Sequence, residues 1–170
     1  MNRRADHQIF QQAVMEDGME LFAFESDFVA TLRCIPMAVR FKLDLAGIKV
    51  TLRQWSRFNL ADRSDLLELP CGTPEQIQVY RQRLVDLIAL RTDEPAKDIP
   101  VDAAPPWNDG EVVPAAVTDF AGLVNVTPPS LPQWAALSPL RRFTLVKLTR
   151  DSHDNENFVP AMAEFGLLGA

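Results

Sequence analysis

Histidine and cysteine occur twice each, tyrosine once and glycine seven times in 170 residues. Cys34, Cys71, His7 and His153 together make the ligand set of a tetrahedral zinc site, but no two of them fall at the short spacing such sites use. The glycines form no phosphate-cradling loop. A thiol nucleophile needs a base and an electropositive pocket; Arg33 neighbours Cys34 and His153 could approach it, yet nothing in the spacing requires that. Two cysteines are also too few for a secreted disulfide scaffold and stay reduced in a cytoplasmic protein. Long apolar runs are absent too, and a membrane span needs roughly 18 to 20 such residues. The twin arginine Arg3-Arg4 precedes Ala5-Asp6-His7-Gln8 where an export signal needs an apolar stretch, so the chain reads as cytoplasmic. Basic residues are the minority, 17 against 23 acidic for a net charge of −6, the reverse of a nucleic-acid-binding domain. Neither nucleic acid nor membrane is an expected partner.

What the chain does have is a core-forming composition, with 47% hydrophobic and 24% charged residues, and 13 prolines that punctuate it. Strand-type alternation is nearly missing, whereas helix starts are dense. Thr73-Pro74-Glu75-Gln76 supplies an N-cap, a proline at the first helical position and a glutamine three residues past the cap. Ile77, Tyr80, Leu84, Leu87, Ile88 and Arg91 come next at helical spacing, with Arg81, Gln82 and Asp86 on the other face. Residues 1–20 read as a loose arm, and residues 21–170 as a single all-helical domain. Residues 92–111 are acidic and proline-rich, a stiff connector whose Ile99, Val101 and Trp107 pin it to the core.

The connector separates two similar segments, 36–69 and 114–148. With one extra residue at Pro129 they align with ten identical pairs, among them Pro36 with Pro114, Gln54 with Gln133, Trp55 with Trp134 and Arg63 with Arg142. We read this as a degenerate internal repeat. Each segment predicts a helix opened by a proline, then a second helix capped by Thr51 or Ser130, with a glutamine at the third position and a tryptophan next. Val50 is placed to staple onto Trp55, and Asn59 and Ser138 cap the helices after these. Neither unit buries its tryptophan and leucines alone, so the two are expected to pack together. The expected fold is all-α, a compact bundle of seven or eight short helices containing two pseudo-repeated units.

Few residues stand out as chemistry. Arg63 and Arg142 hold equivalent repeat positions and could meet at one anion, although two solvated arginines on helix surfaces are the simpler reading. Trp55 and Trp134 read as core. The stretch Ser152–Val159 gathers hydrogen-bonding side chains: Asn157 is the expected cap of a last helix, with Pro160 at its third position and Gly166 at its end, leaving His153 and Asn155 to tie loops or hold a ligand. The candidate ligand or partner contacts are Arg33, Arg63, Arg142, His153, Asn155 and Asn157. No catalytic residue, metal or cofactor is assigned.

As a set, Phe24-Glu25-Ser26-Asp27-Phe28, Leu32-Arg33-Cys34-Ile35-Pro36-Met37, Gln54-Trp55, Glu68-Leu69-Pro70-Cys71, Gln133-Trp134, Arg142-Phe143 and the segment from Ser152-His153 to Glu164-Phe165-Gly166 resemble the nitrate reductase-associated protein family. The resemblance covers about residues 22–167 and implies a role around nitrate assimilation, without supplying catalytic residues. It favours a non-enzymatic accessory protein that contacts nitrate reductase or a protein supplying its molybdenum cofactor. The alternative is a binder of, or enzyme acting on, a small anionic or pterin-like ligand held by Arg63, Arg142, His153 and Asn155. A homodimeric scaffold is a third reading.

Overall fold

The computed structural model describes residues 20–26, 31–151 and 153–169. Nearly all of the expected N-terminal arm, His7 included, lies outside the described residues. The described chain is mostly helical, with eight α-helices and one two-stranded ladder. By contacts it divides into two compact units, one formed by Glu25–Asp102 and the other by Ala103–Ala170 with Phe22–Phe24. The acidic connector is thereby split, its first half folding with one unit and its second half with the other.

The first unit contains α1 (Met37–Ala46), β1 (Ile48–Lys49), α2 (Leu52–Arg57), α3 (Leu60–Glu68), α4 (Pro74–Arg91) and β2 (Lys97–Asp98). Pro36 precedes α1 but has no side chain able to cap it; the buried Glu25 carboxylate instead accepts the Met37 amide at 2.7 Å. Helix α1 ends at Gly47, whose φ of +66° is left-handed and where a Cβ would come within 2.8 Å of Val101 Cγ2. That close approach lets the connector return: β2 pairs antiparallel with β1, Ile48 opposite Asp98, and Ile99 donates its amide to Gly47 O. Arg81 of α4 clamps the same corner, donating to Ala46 O at 2.8 Å and pairing with Asp98 at 2.6 Å. Among the described residues this ladder is the one departure from an all-helical expectation; two residues per strand carry too little pattern to be seen. Helix α4 matches its sequence signal, with the full Thr73/Gln76 capping box and Tyr80, Leu84, Leu87 and Ile88 buried. Thr51 and Gln54 form the same reciprocal box on α2, and Asn59 with Asp62 on α3.

The second unit contains a 3-10 turn at Pro106–Asn108, α5 (Ala115–Leu123), α6 (Leu131–Ala136), α7 (Pro139–Leu148), a 3-10 turn at His153–Asn157 and α8 (Phe158–Glu164). Ser130 and Gln133 box the start of α6, and Ser138 caps α7 with Pro139 at its first position. Asn125 takes the left-handed conformation after α5, where Val126 N returns to Ala121 O. Trp107 is buried and meets Phe143 edge-on at 5.0 Å. Glu164 accepts the amides of Ala23 and Phe24, while Phe22 stacks on Phe24 and meets Phe165 edge-on. One expected detail differs. Asn157 precedes α8 but makes no side-chain cap bond, because the 3-10 turn runs directly into the helix and leaves Asn157 in helical backbone geometry. Pro160 and Gly166 fall where expected, at the third position and in the left-handed closing turn.

Candidate functional site

The helix start at Thr51 sets the facing of every later residue on α2. Once Gln54 reaches back to the Thr51 amide, Trp55 points inward and Arg53 and Arg57, four residues apart, share the exposed side. The end of α4 faces them. Arg53, Gln54, Arg57, Arg91, Thr92, Asp93 and Glu94 line a cleft of about 70 Å³ in the first unit. Arg91 is held from behind by Asp62, Nε to Oδ2 at 2.8 Å and Nη2 to Oδ1 at 3.3 Å. Burial alone would raise the Asp62 carboxyl, but hydrogen bonds from Arg91 and the Asn59 amide, with the charges of Arg91 and Arg83, hold it below the usual carboxylate range. Arg53 approaches Glu94 only at 3.5 Å, between largely exposed groups, a weak attachment. Thr92 is occupied with backbone, donating to Ile88 O and accepting from Glu94 N.

A second polar cluster lies inside the same unit. Lys42 is buried on α1, and its ammonium donates to Leu67 O and Leu69 O at 2.5 and 2.7 Å, while the Tyr80 hydroxyl donates to Leu66 O at 2.9 Å. Together they satisfy carbonyls that the end of α3 leaves open. Burial lowers the Lys42 pKa to about 8, partly countered by Cys71. The buried Cys71 thiol is pushed up to about 12 by the same desolvation, slightly opposed by Lys42, which makes it a poor nucleophile. Burial likewise raises Tyr80 well above its ordinary value.

The residues singled out in the sequence fall in different settings. Arg33 is exposed on the loop ahead of α1. Arg63 donates to four backbone carbonyls, Thr31 O, Leu32 O, Trp55 O and Ser56 O, at 3.2 to 3.4 Å, and its guanidinium carbon lies 5.8 Å from the Trp55 ring. Arg142 belongs to the second unit and is buried, its guanidinium lying where a Cβ on Gly110 would come within 2.7 Å. Asn155 and Asn157 are half-buried in the turn before α8; His153 opens that turn, its side chain outside what the structure describes. Sequence reasoning gives no site role to Arg53, Arg57, Arg91 or Lys42. The pair Arg53 and Arg57 is visible as an i, i+4 repeat behind a capping box. Lys42 stands between Phe41 and Leu43 on a helix whose Ala38, Val39 and Ala46 are also buried. Among the described residues no group of histidine, cysteine or carboxylate side chains is arranged to hold a metal, and no helix is long and apolar enough to cross a membrane.

Residues 21–165 match the model of the conserved nitrate reductase-associated protein family, and the chain belongs to that family. Neither a curated protein nor a solved structure matches it.

Proposed function

From this family membership we propose that the protein is a non-enzymatic accessory protein of nitrate assimilation, acting in the cytoplasm on nitrate reductase or on a protein that supplies its molybdenum cofactor. Family coverage of residues 21–165 is the observation that carries the reading. Exposed apolar side chains on helices of both units support it: Leu52, Leu60, Val79 and Leu90 in the first unit are each more than half exposed, as is Leu123 in the second. Isolated exposed leucines are ordinary, but on rigid helices, interspersed with Arg53, Arg57 and Arg91, they supply the mixed apolar and arginine surface that protein partners use.

Affinity capture of the tagged protein from cells grown on nitrate, with an ammonium-grown control and mass spectrometry, tests this reading. Nitrate-dependent recovery of the reductase or of cofactor-insertion proteins is the expected result, with recovery reduced by Leu90→Asp at unchanged melting temperature. Failure to recover either after chemical crosslinking overturns it.

A further inference from the structure

We propose that the cleft between α2 and the end of α4 binds a small, singly charged, planar oxyanion through Gln54, Arg53, Arg57 and Arg91. Two glutamines in equivalent places differ in a telling way. Gln54 and Gln133 hold the same position in the same capping box, each giving its carbonyl oxygen to the cap residue's amide. Each therefore has a side-chain NH2 left to donate. In the second unit the chain supplies the acceptor, and Gln133 Nε2 donates to Leu167 O at 3.4 Å. The residues flanking that glutamine are Pro132 and Ala136, which offer no charge. In the first unit Gln54 is only 4% exposed and lines the cleft, yet its Nε2 has no acceptor among the described residues.

In the positions of Pro132 and Ala136 stand Arg53 and Arg57. Arg57 makes no ion pair among the described residues, and the 3.5 Å approach of Arg53 to Glu94 is readily exchanged. Arg91 is steadied by Asp62 and so presents the rest of its guanidinium in a fixed place. An amide donor that opens on the cleft among three guanidiniums is matched by an acceptor carrying negative charge. The cleft of about 70 Å³ has room for several waters or one polyatomic ion. Charge narrows the class: the three arginines are matched by Asp62, Asp93 and Glu94, so a guest is held by directed donors and not by surplus positive charge, which disfavours a doubly charged phosphate more than a singly charged ion. The O–X–O edge of a carboxylate or of nitrate suits both the planar arginine fork and the glutamine amide. Binding of this kind requires no protein partner.

Titration of the isotope-labelled protein with sodium acetate and, separately, sodium nitrate against sodium chloride at constant ionic strength tests it, read at the Gln54 side-chain amide and the Arg57 Nε–H. Saturable shifts at both groups with acetate or nitrate, absent with chloride, are expected; a response to acetate assigns a carboxylate guest, and a response to nitrate alone assigns nitrate. Arg57→Gln weakens the affinity about tenfold, as the loss of a charge-assisted donor does, while Arg150→Gln on the second unit leaves it unchanged. Shifts that are equal for all three salts, or that survive unchanged in Arg57→Gln, overturn the proposal.

Discussion

The α2–α3 corner of the first unit and the α6–α7 corner of the second are built from one set of interactions. In each, a hydroxyl residue and a glutamine close a capping box, and a fully buried tryptophan comes next. The tryptophan's carbonyl accepts the amide that ends the helix, and a new cap starts the next helix at once. Trp55 Nε1 donates to Leu32 O at 2.7 Å and Trp134 Nε1 to Asp109 O at 2.9 Å, each a carbonyl more than twenty residues upstream. The corners differ in how they finish. In the first, an arginine gathers the loop carbonyls, with Leu32 held at a φ of +48° so that its oxygen serves both Trp55 and Arg63. In the second, Gly110 gives Arg142 room against the backbone, and Leu167 covers the glutamine. A buried framework can thus stay constant while outer residues decide whether the glutamine is closed by the chain or left for a guest.

The comparison breaks most severely at the tryptophans. Trp55→Ala and Trp134→Ala each remove a fully buried side chain and its indole hydrogen bond, for an expected loss of about 3–5 kcal/mol; urea unfolding of the two variants shows similar losses if the corners are energetically alike. Next comes Asp62, which has no acidic counterpart in the second corner, where Arg141 stands. Asp62→Asn weakens both the Arg91 pair and the charge on the α3 box, costing about 2 kcal/mol, discounted for the partly exposed Arg91. Because the folded Asp62 pKa lies below its unfolded value, its contribution is complete above the unfolded value and fades as pH falls through the folded one. Acid titrations of wild type and variant therefore converge at low pH.

Lys42 sharpens the comparison by chemistry confined to the first unit. Its pKa of about 8 lies below the unfolded 10.5, so from pH 8 upward the unfolded chain holds more protons and stability rises. Cys71, raised from 9.0 to about 12, has the opposite sign and cancels that gain above pH 9. Denaturation at pH 7, 8, 9 and 10 is expected to show a gain on the order of 1 kcal/mol between pH 8 and 9 and little beyond, with the rise abolished in Lys42→Met. The smallest effect is at the caps, where Thr51→Ala and Ser130→Ala each cost about 0.5–1 kcal/mol in thermal unfolding.

The capping boxes were legible because they are local: a hydroxyl, a spacing of three and a glutamine determine the helix start within one turn. The long helix α4 showed itself through the same device and an apolar stripe that ends up buried. The ladder of β1 and β2 was not legible, since its two strands are held by the close approach of Gly47 to Val101 and by Arg81, all distant in sequence. Asn157 looked like a cap by type, and the preceding 3-10 turn overrode it. The arginine cleft escaped for a related reason: the i, i+4 spacing of Arg53 and Arg57 implies at most one charged face, and nothing in the sequence said that Arg91 would stand opposite.

By itself the sequence determined where helices begin and end and which tryptophans are interior, because caps and apolar periodicity act over a few residues and outweigh weak propensities. Which carbonyl each tryptophan reaches, that Lys42 closes the end of α3, and that the Gln54 side-chain amide lies beside three arginines with no acceptor among the described residues were decided by tertiary structure. Hydrogen bonds and charges at those places join groups far apart in the chain, and only the packed fold brings them within reach.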